Sequence, residues 1–160
     1  MSGTLASVTS ALAALACSRL ENRHGARPMN AVAHIYDGGA PPARDGSGGR
    51  NAWLGFGIHT VASLWWAMVH EKVQSPATVA ALAYLVDYHV VPERLRPGFE
   101  AHLSAKSMLA VYAALAAGFA LAAQLNRRLD HHQEENRDEG DERRPAQRRP
   151  HPVVAPEARR

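Results

Sequence analysis

The chain has 160 residues, room for one ordinary domain, with 46% apolar residues, a net charge of +3 and a pI near 9.4. No basic stripe with interleaved aromatics accompanies that charge, so a nucleic-acid partner is not expected, and the single cysteine, Cys17, excludes an intrachain disulfide. These averages hide a segregation: residues 53–125 are strongly apolar, whereas residues 126–160 hold few large apolar side chains and half of the Lys and Arg residues.

The first apolar segment, residues 3–16, is short and rich in small residues. No Lys or Arg precedes it, so a cleaved signal peptide is not expected. It approaches the ~17–20 residues of a transmembrane helix only if its Ser and Thr are counted in. A helix can satisfy those hydroxyls on its own carbonyls. In the connector over residues 17–51, Pro28 can open a short helix across 29–36 with Ala, Val and Ile on one side. DGGAPPARDGSGGRN follows as a flexible Gly/Pro-rich loop. Its GSGG lacks the Gly-Lys-Ser/Thr that a phosphate-binding loop requires.

The second segment, residues 52–69, is 18 residues without a formal charge, or ~27 Å of helix at ~1.5 Å per residue. That is close to the thickness of a hydrocarbon core. Trp53 stands at one end; Trp65, Trp66 and the charged Glu71-Lys72 approach the other, an interfacial pattern. The connector at residues 71–75 is tight, which makes the second and third segments antiparallel neighbours. Ser75-Pro76 is a helix-start signal for the third segment, residues 77–91, which contains Asp87 and His89 and stops at Pro92. In PERLRPGFEAHLSAK, Phe99 and Leu103 are four apart and suit packing on the bundle end or the membrane surface. The fourth segment, residues 107–125, has 19 residues, no charge, and apolar side chains all round. Ala110, Ala114, Ala117, Gly118 and Ala122 permit close helix contact. A soluble bundle would carry charges on its outer faces at every turn, and the second and fourth segments have none.

The expected fold is therefore all-α: an integral membrane bundle of about four transmembrane helices over residues 1–125. A charged tail over residues 126–160 is expected to be disordered after about two further helical turns. Orientation is not readable, because the Lys and Arg residues divide between the two sides.

NAVAHIYDG, GFGIHTVASLWWAMVHEKV and LVDYHVVPERLRPGFEAHLS resemble a group of small, uncharacterised multi-pass inner-membrane proteins of proteobacteria, over roughly residues 3–122. The PERLRPGFE stretch after the Asp-Tyr pair is the most specific part. The resemblance implies an inner-membrane location and a helix count; it brings no reaction and no functional residues.

Among the polar residues, His59, Ser63, Trp66 and His70 are spaced 4, 3 and 4 and line one helix face. The tight 71–75 connector puts His59 and Asp87 at similar depth on antiparallel helices, so their side chains are expected to approach, directly or through a water or a Tyr hydroxyl of Tyr84, Tyr88 or Tyr112. Imidazole and carboxylate suit a divalent metal, with His59, Asp87 and His89 as candidate ligands, or a proton relay. Against the metal, Asp87 and His89 are two apart and diverge on a helix. The plainer alternative is an interhelical hydrogen bond that fixes packing. His70-Glu71 is not a zinc-protease motif, because position 74 is Gln. His24, His34, His102 and His151 lie outside the apolar segments and are expected at the surface, and His131-His132 in solvent.

No catalytic residue or bound cofactor is assigned. The leading expectation is a non-enzymatic membrane protein, an accessory or scaffold subunit in contact with the lipid bilayer and with another membrane protein or itself. The alternative is a small transporter or membrane enzyme that uses the His59–Asp87 locus. Two groups in a dry interface favour the first; three or more around an open, wet pocket favour the second.

Overall fold

The computed structural model describes residues 2–21, 25–38 and 49–142. All regular structure among them is helical: α1 (Ser2–Leu20), α2 (Arg27–Val32), α3 (His34–Asp37), α4 (Gly49–Val73), α5 (Pro76–Leu85) and α6 (Ala105–Glu142). Helix α5 continues into a π-helical turn, Val86–Val90, and 3-10 turns follow at Glu93–Leu95 and Phe99–Ala101. The chain divides into two units, Met1–Leu125 and Asn126–Arg160.

Three helical stretches are long and apolar enough to cross a membrane: Ser2–Leu20, Gly49–Val73 and Ala105–Arg137. The third segment is not among them. Its 10-residue α5 and 5-residue π turn fall below the ~17-residue minimum for an untilted span. The first segment is longer than residues 3–16, because Ser18 and Arg19 continue its helix.

Helix α1 organises the first unit. Gly3, Ala6, Ser7, Ser10, Ala14 and Ser18 recur at three- and four-residue spacing and bury one small-residue face. With so little side chain in the way, backbones come close. A Cβ on Gly3 would lie 2.8 Å from Leu64 Cδ2 on α4, and one on Gly118 would strike Ala6 Cα on α1. Hydroxyls bridge the same seams. Ser7 Oγ and Thr60 Oγ1 share a hydrogen bond of 2.8 Å, and Thr9 Oγ1 donates to the Ala114 carbonyl at 2.9 Å. At the end of α1, Glu21 accepts from the Ser104 backbone N–H at 3.1 Å and from the Ser104 hydroxyl at 2.6 Å. A carboxylate thus sits at the N-terminus of α6, where the helix dipole favours it.

These pairings fix direction. Low numbers on α1 meet high numbers on both α4 and α6, so α1 is antiparallel to each and α4 is parallel to α6. The chain returns between them through α5. Gln74, at φ 55, turns it in the left-handed region, and the Ser75 side chain caps α5 by accepting from Thr78 N at 3.4 Å. Asp87 and Tyr88 on the π turn meet Tyr112 and Met108 on α6, again antiparallel.

The short helix expected over 29–36 exists in two pieces, α2 and α3, with Pro28 in the first turn of α2 and a break at Ala33. It packs on α4 so closely that a Cβ on Gly55 would overlap the Met29 carbonyl oxygen. Gly38 ends α3 in the left-handed conformation, against the Arg94 guanidinium. Phe99 and Leu103 are buried in the core. Most of the loop expected between Asp37 and Asn51 lies outside the described residues.

In the long helices of the first unit, Ser7, Ser10, Ser18 and Ser63 are buried while many large alkyl groups are exposed. Over residues 53–69 of α4 every exposed position is Trp, Gly, Val, Ala, Leu or Met, while Ser63 is buried. Over residues 107–125 of α6 Gln124 is the one exposed polar residue. In the second unit, residues 126–142 are helical, further than the two turns expected, and carry exposed His131–Glu134 and His132–Glu135 pairs at 4.0 and 3.8 Å. The rest of the tail expected to be disordered, residues 143–160, lies outside the described residues.

Candidate functional site

A cavity of about 80 Å3 lies at the meeting point of α1, α2, α3, α4, the π turn, the 92–101 connector and α6. Ser10, His59, Ser63, Asp87 and Tyr112 give it polar walls. Val32, Ile35, Leu95, Pro97 and Phe99, from α2, α3 and the connector, line it as well. A water needs roughly 10–15 Å3 of such space and two or more polar partners, so the cavity has room for several.

Each polar group is placed by its own helix. His59 projects from α4 toward α1, where its Nε2 is 2.9 Å from Ser10 Oγ. Ser10 Oγ also lies 2.7 Å from the Ala6 carbonyl, to which it donates. Its single hydrogen being so used, it accepts from His59, which puts the imidazole proton on Nε2. The other side of the ring meets Phe99 edge-on, centroids 5.9 Å apart. Ser63, one turn on, donates to the His59 carbonyl at 2.9 Å. On the π turn, Asp87 Oδ2 accepts the Tyr112 hydroxyl proton at 2.7 Å.

The expected face of α4 is present: Ser63, Trp66 and His70 are buried and His59 is half-buried. His59 and Asp87 line one cavity, each with its own hydrogen-bond partner. His89 does not join them. It lines a separate groove and lies near the Tyr84 ring, centroids 5.9 Å apart. Among the described residues no three His, Cys, Asp or Glu side chains are grouped to hold a metal ion. The candidate metal set of His59, Asp87 and His89 therefore does not assemble: the π turn sends Asp87 inward and His89 outward.

Two histidines expected at the surface are buried instead. His34 is 0% exposed, with its Nδ1 bonded to the Ala31 carbonyl, and His102 is 5% exposed. His34 opens α3, which contacts α2 and the Glu93–Leu95 turn, and His102 follows the Phe99–Ala101 turn, which contacts α2; such tertiary contacts are not revealed by local polarity. His24 and His151 lie outside the described residues. His70 stacks flat on Phe119, centroids 4.9 Å apart and planes 7° from parallel. Ser10 is the site residue that the sequence reading passed over. Its place in the run Gly3, Ser7, Ser10, Ala14, Ser18 was the available signal.

Chemically, the cavity walls offer an imidazole, a carboxylate and several hydroxyls, with space for water. Such groups can pass a proton through a water chain. The volume is well below the ~300–1,000 Å3 of ordinary small-molecule sites. Comparison with protein-family profiles, curated proteins and solved structures yields no match.

Proposed function

We propose that the chain is a multi-pass protein of the proteobacterial inner membrane, with four crossings. In this reading it belongs to the small-transporter class, and His59 and Asp87 exchange a proton across its central cavity. The membrane part rests on the inverted polarity of the first unit. Ser7, Ser10, Ser63 and His70 are buried while Leu12, Val61, Trp65 and Leu109 are 60–73% exposed on three long helices. In water that arrangement would expose apolar area at ~25 cal/mol per Å2 and bury hydroxyls for no gain; in lipid both signs reverse. The fourth crossing rests on helix direction. With α4 parallel to α6, the chain has to return through α5 and its π turn.

The proton-exchanging part rests on one observation: five polar side chains from four elements converge on a cavity with room for water. Ionisable groups inside a membrane are costly, ~2.5–3.5 kcal/mol each when charged at the centre, and are kept where they act. The test is proton movement into proteoliposomes under an imposed potassium diffusion potential, followed with an internal pH dye. Wild-type protein should exceed empty liposomes, and His59→Leu and Asp87→Asn should return the rate to that background. A wild-type rate equal to empty liposomes removes the proton role. An accessory-subunit reading then stands in its place. It is favoured by the fact that Ser10 and Tyr112 already satisfy both groups internally.

A further inference from the structure

A second, much larger space opens beside the polar cavity. Between α5 and α6 lies a groove of about 1110 Å3, at the upper end of the size range of small-molecule sites. Its apolar length is floored by alanines, among them Ala77, Ala80, Ala81, Ala113 and Ala116. Its polar end carries Tyr84, Tyr88 and Tyr112. Their rings form one cluster, with centroids 5.3 Å apart for Tyr84–Tyr88, 5.4 Å for Tyr84–Tyr112 and 6.3 Å for Tyr88–Tyr112. Glu100 and His89 complete that end, and among the described residues no Lys or Arg lines the groove. Tyr112 borders both spaces, and its hydroxyl donates to Asp87, which lines the inner cavity.

We propose that this groove binds a lipophilic organic cation drawn from the bilayer, its charged centre on the tyrosine cluster beside Glu100 and its apolar body along the alanine floor. The chemistry is complementary at both ends. Aromatic faces attract a cation within ~6 Å, most strongly one that is weakly hydrated and has no other counter-charge. Among the described residues Glu100 is the only fully charged one on the groove wall, so the local field favours positive ligands, and Asp87 adds a second carboxylate one tyrosine away. An anion would meet carboxylates and ring faces with no cation to balance it. The alanine floor provides shape and apolar area with no hydrogen-bonding demand, which suits a hydrophobic body of variable form. The inference rests on the membrane location above but not on proton exchange, which a binding assay does not measure.

The test is equilibrium binding of radiolabelled tetraphenylphosphonium to the full chain in lipid nanodiscs. Tetraphenylborate, of the same shape and opposite charge, serves as the control. Tetraphenylphosphonium should bind saturably and one-to-one, and tetraphenylborate should not. Tyr84 and Glu100 are both exposed, so substitutions there leave the core intact. Glu100→Gln and Tyr84→Ala are each expected to weaken binding about three- to tenfold, and Tyr84→Phe to restore it, since the ring and not the hydroxyl is required. Equal binding of both ions would reduce the groove to a non-selective greasy surface. Absence of saturable binding, including through occupation of the groove by a second copy of the chain, would overturn the proposal. A His59→Leu variant that keeps the cation site but loses proton movement would separate the two readings.

Discussion

Tyr112 lines both the inner cavity and the outer groove, and its hydroxyl donates to Asp87. Tyr112→Phe keeps the ring and removes only that donor; Asp87→Leu removes the acceptor. Because either change alone already breaks the bond, the two losses should not add. A double-mutant cycle on unfolding from detergent micelles is expected to give a coupling of about 1 kcal/mol, the usual size for an interhelical hydrogen bond in a membrane. His59 has a different partner, Ser10, on a different helix. The cycle between His59→Leu and Asp87→Leu should therefore couple more weakly, through shared water only. Equal coupling in the two cycles would mean that His59 and Asp87 pair directly across the cavity.

At the scale of elements, close helix contact depends on Gly55 and Gly118 but not on Gly57, and the sequence marks the two unequally. Gly55 and Gly118 have backbone atoms of α2 and α1 where a Cβ would go, whereas nothing lies within 4 Å of that position on Gly57. Gly55→Ala and Gly118→Ala should each cost ~1–3 kcal/mol through forced separation of helices. Gly57→Ala should be neutral or stabilise by up to ~1 kcal/mol, because alanine is the better helix former. Thermal unfolding of the three variants side by side is the check, and a loss at Gly57 as large as at Gly118 would refute the packing. Gly118 was legible in the sequence, because small residues recur around it on an apolar helix. Gly55 was not, because its partner α2 is six residues long and the connector that follows it leaves its docking open. The same difference explains the site. The short turn before Ser75 fixes α4 against α5, so the shared depth of His59 and Asp87 could be read from spacing. The register of α1 on α4 is set by Gly3 against Leu64, a tertiary contact, so Ser10 as the partner of His59 could not. His89 stands apart from Asp87 as their spacing indicated, since two residues on a helical turn, here Val86–Val90, point to different sides.

For the whole first unit, helix direction makes a prediction that span counting alone reverses. Three long helices taken as three crossings would put the two ends of the unit on opposite sides of the membrane. The packing argues otherwise. Helix α1 is antiparallel to both α4 and α6, so the end of α4 and the end of the apolar stretch of α6 lie at the same level as Ser2. The chain gets from one to the start of the other by passing back through α5 and its π turn. That stretch is short for a bilayer, and the α5–α6 groove runs beside it. Single cysteines at Ser2, Gln124 and Glu93 in a Cys17→Ser background, labelled from outside with a membrane-impermeant maleimide, test this. Gln124 and Glu93 are exposed, and Glu93 follows directly on Pro92 at the far end of the return. Ser2 and Gln124 are expected to label together, and Glu93 only after the membrane is opened, or the reverse pattern if the unit is inserted the other way up. Labelling of Ser2 and Gln124 from opposite sides would show that α5 does not carry the chain across. The parallel arrangement of α4 and α6, and with it the cavity between His59 and Asp87, would then have to be abandoned.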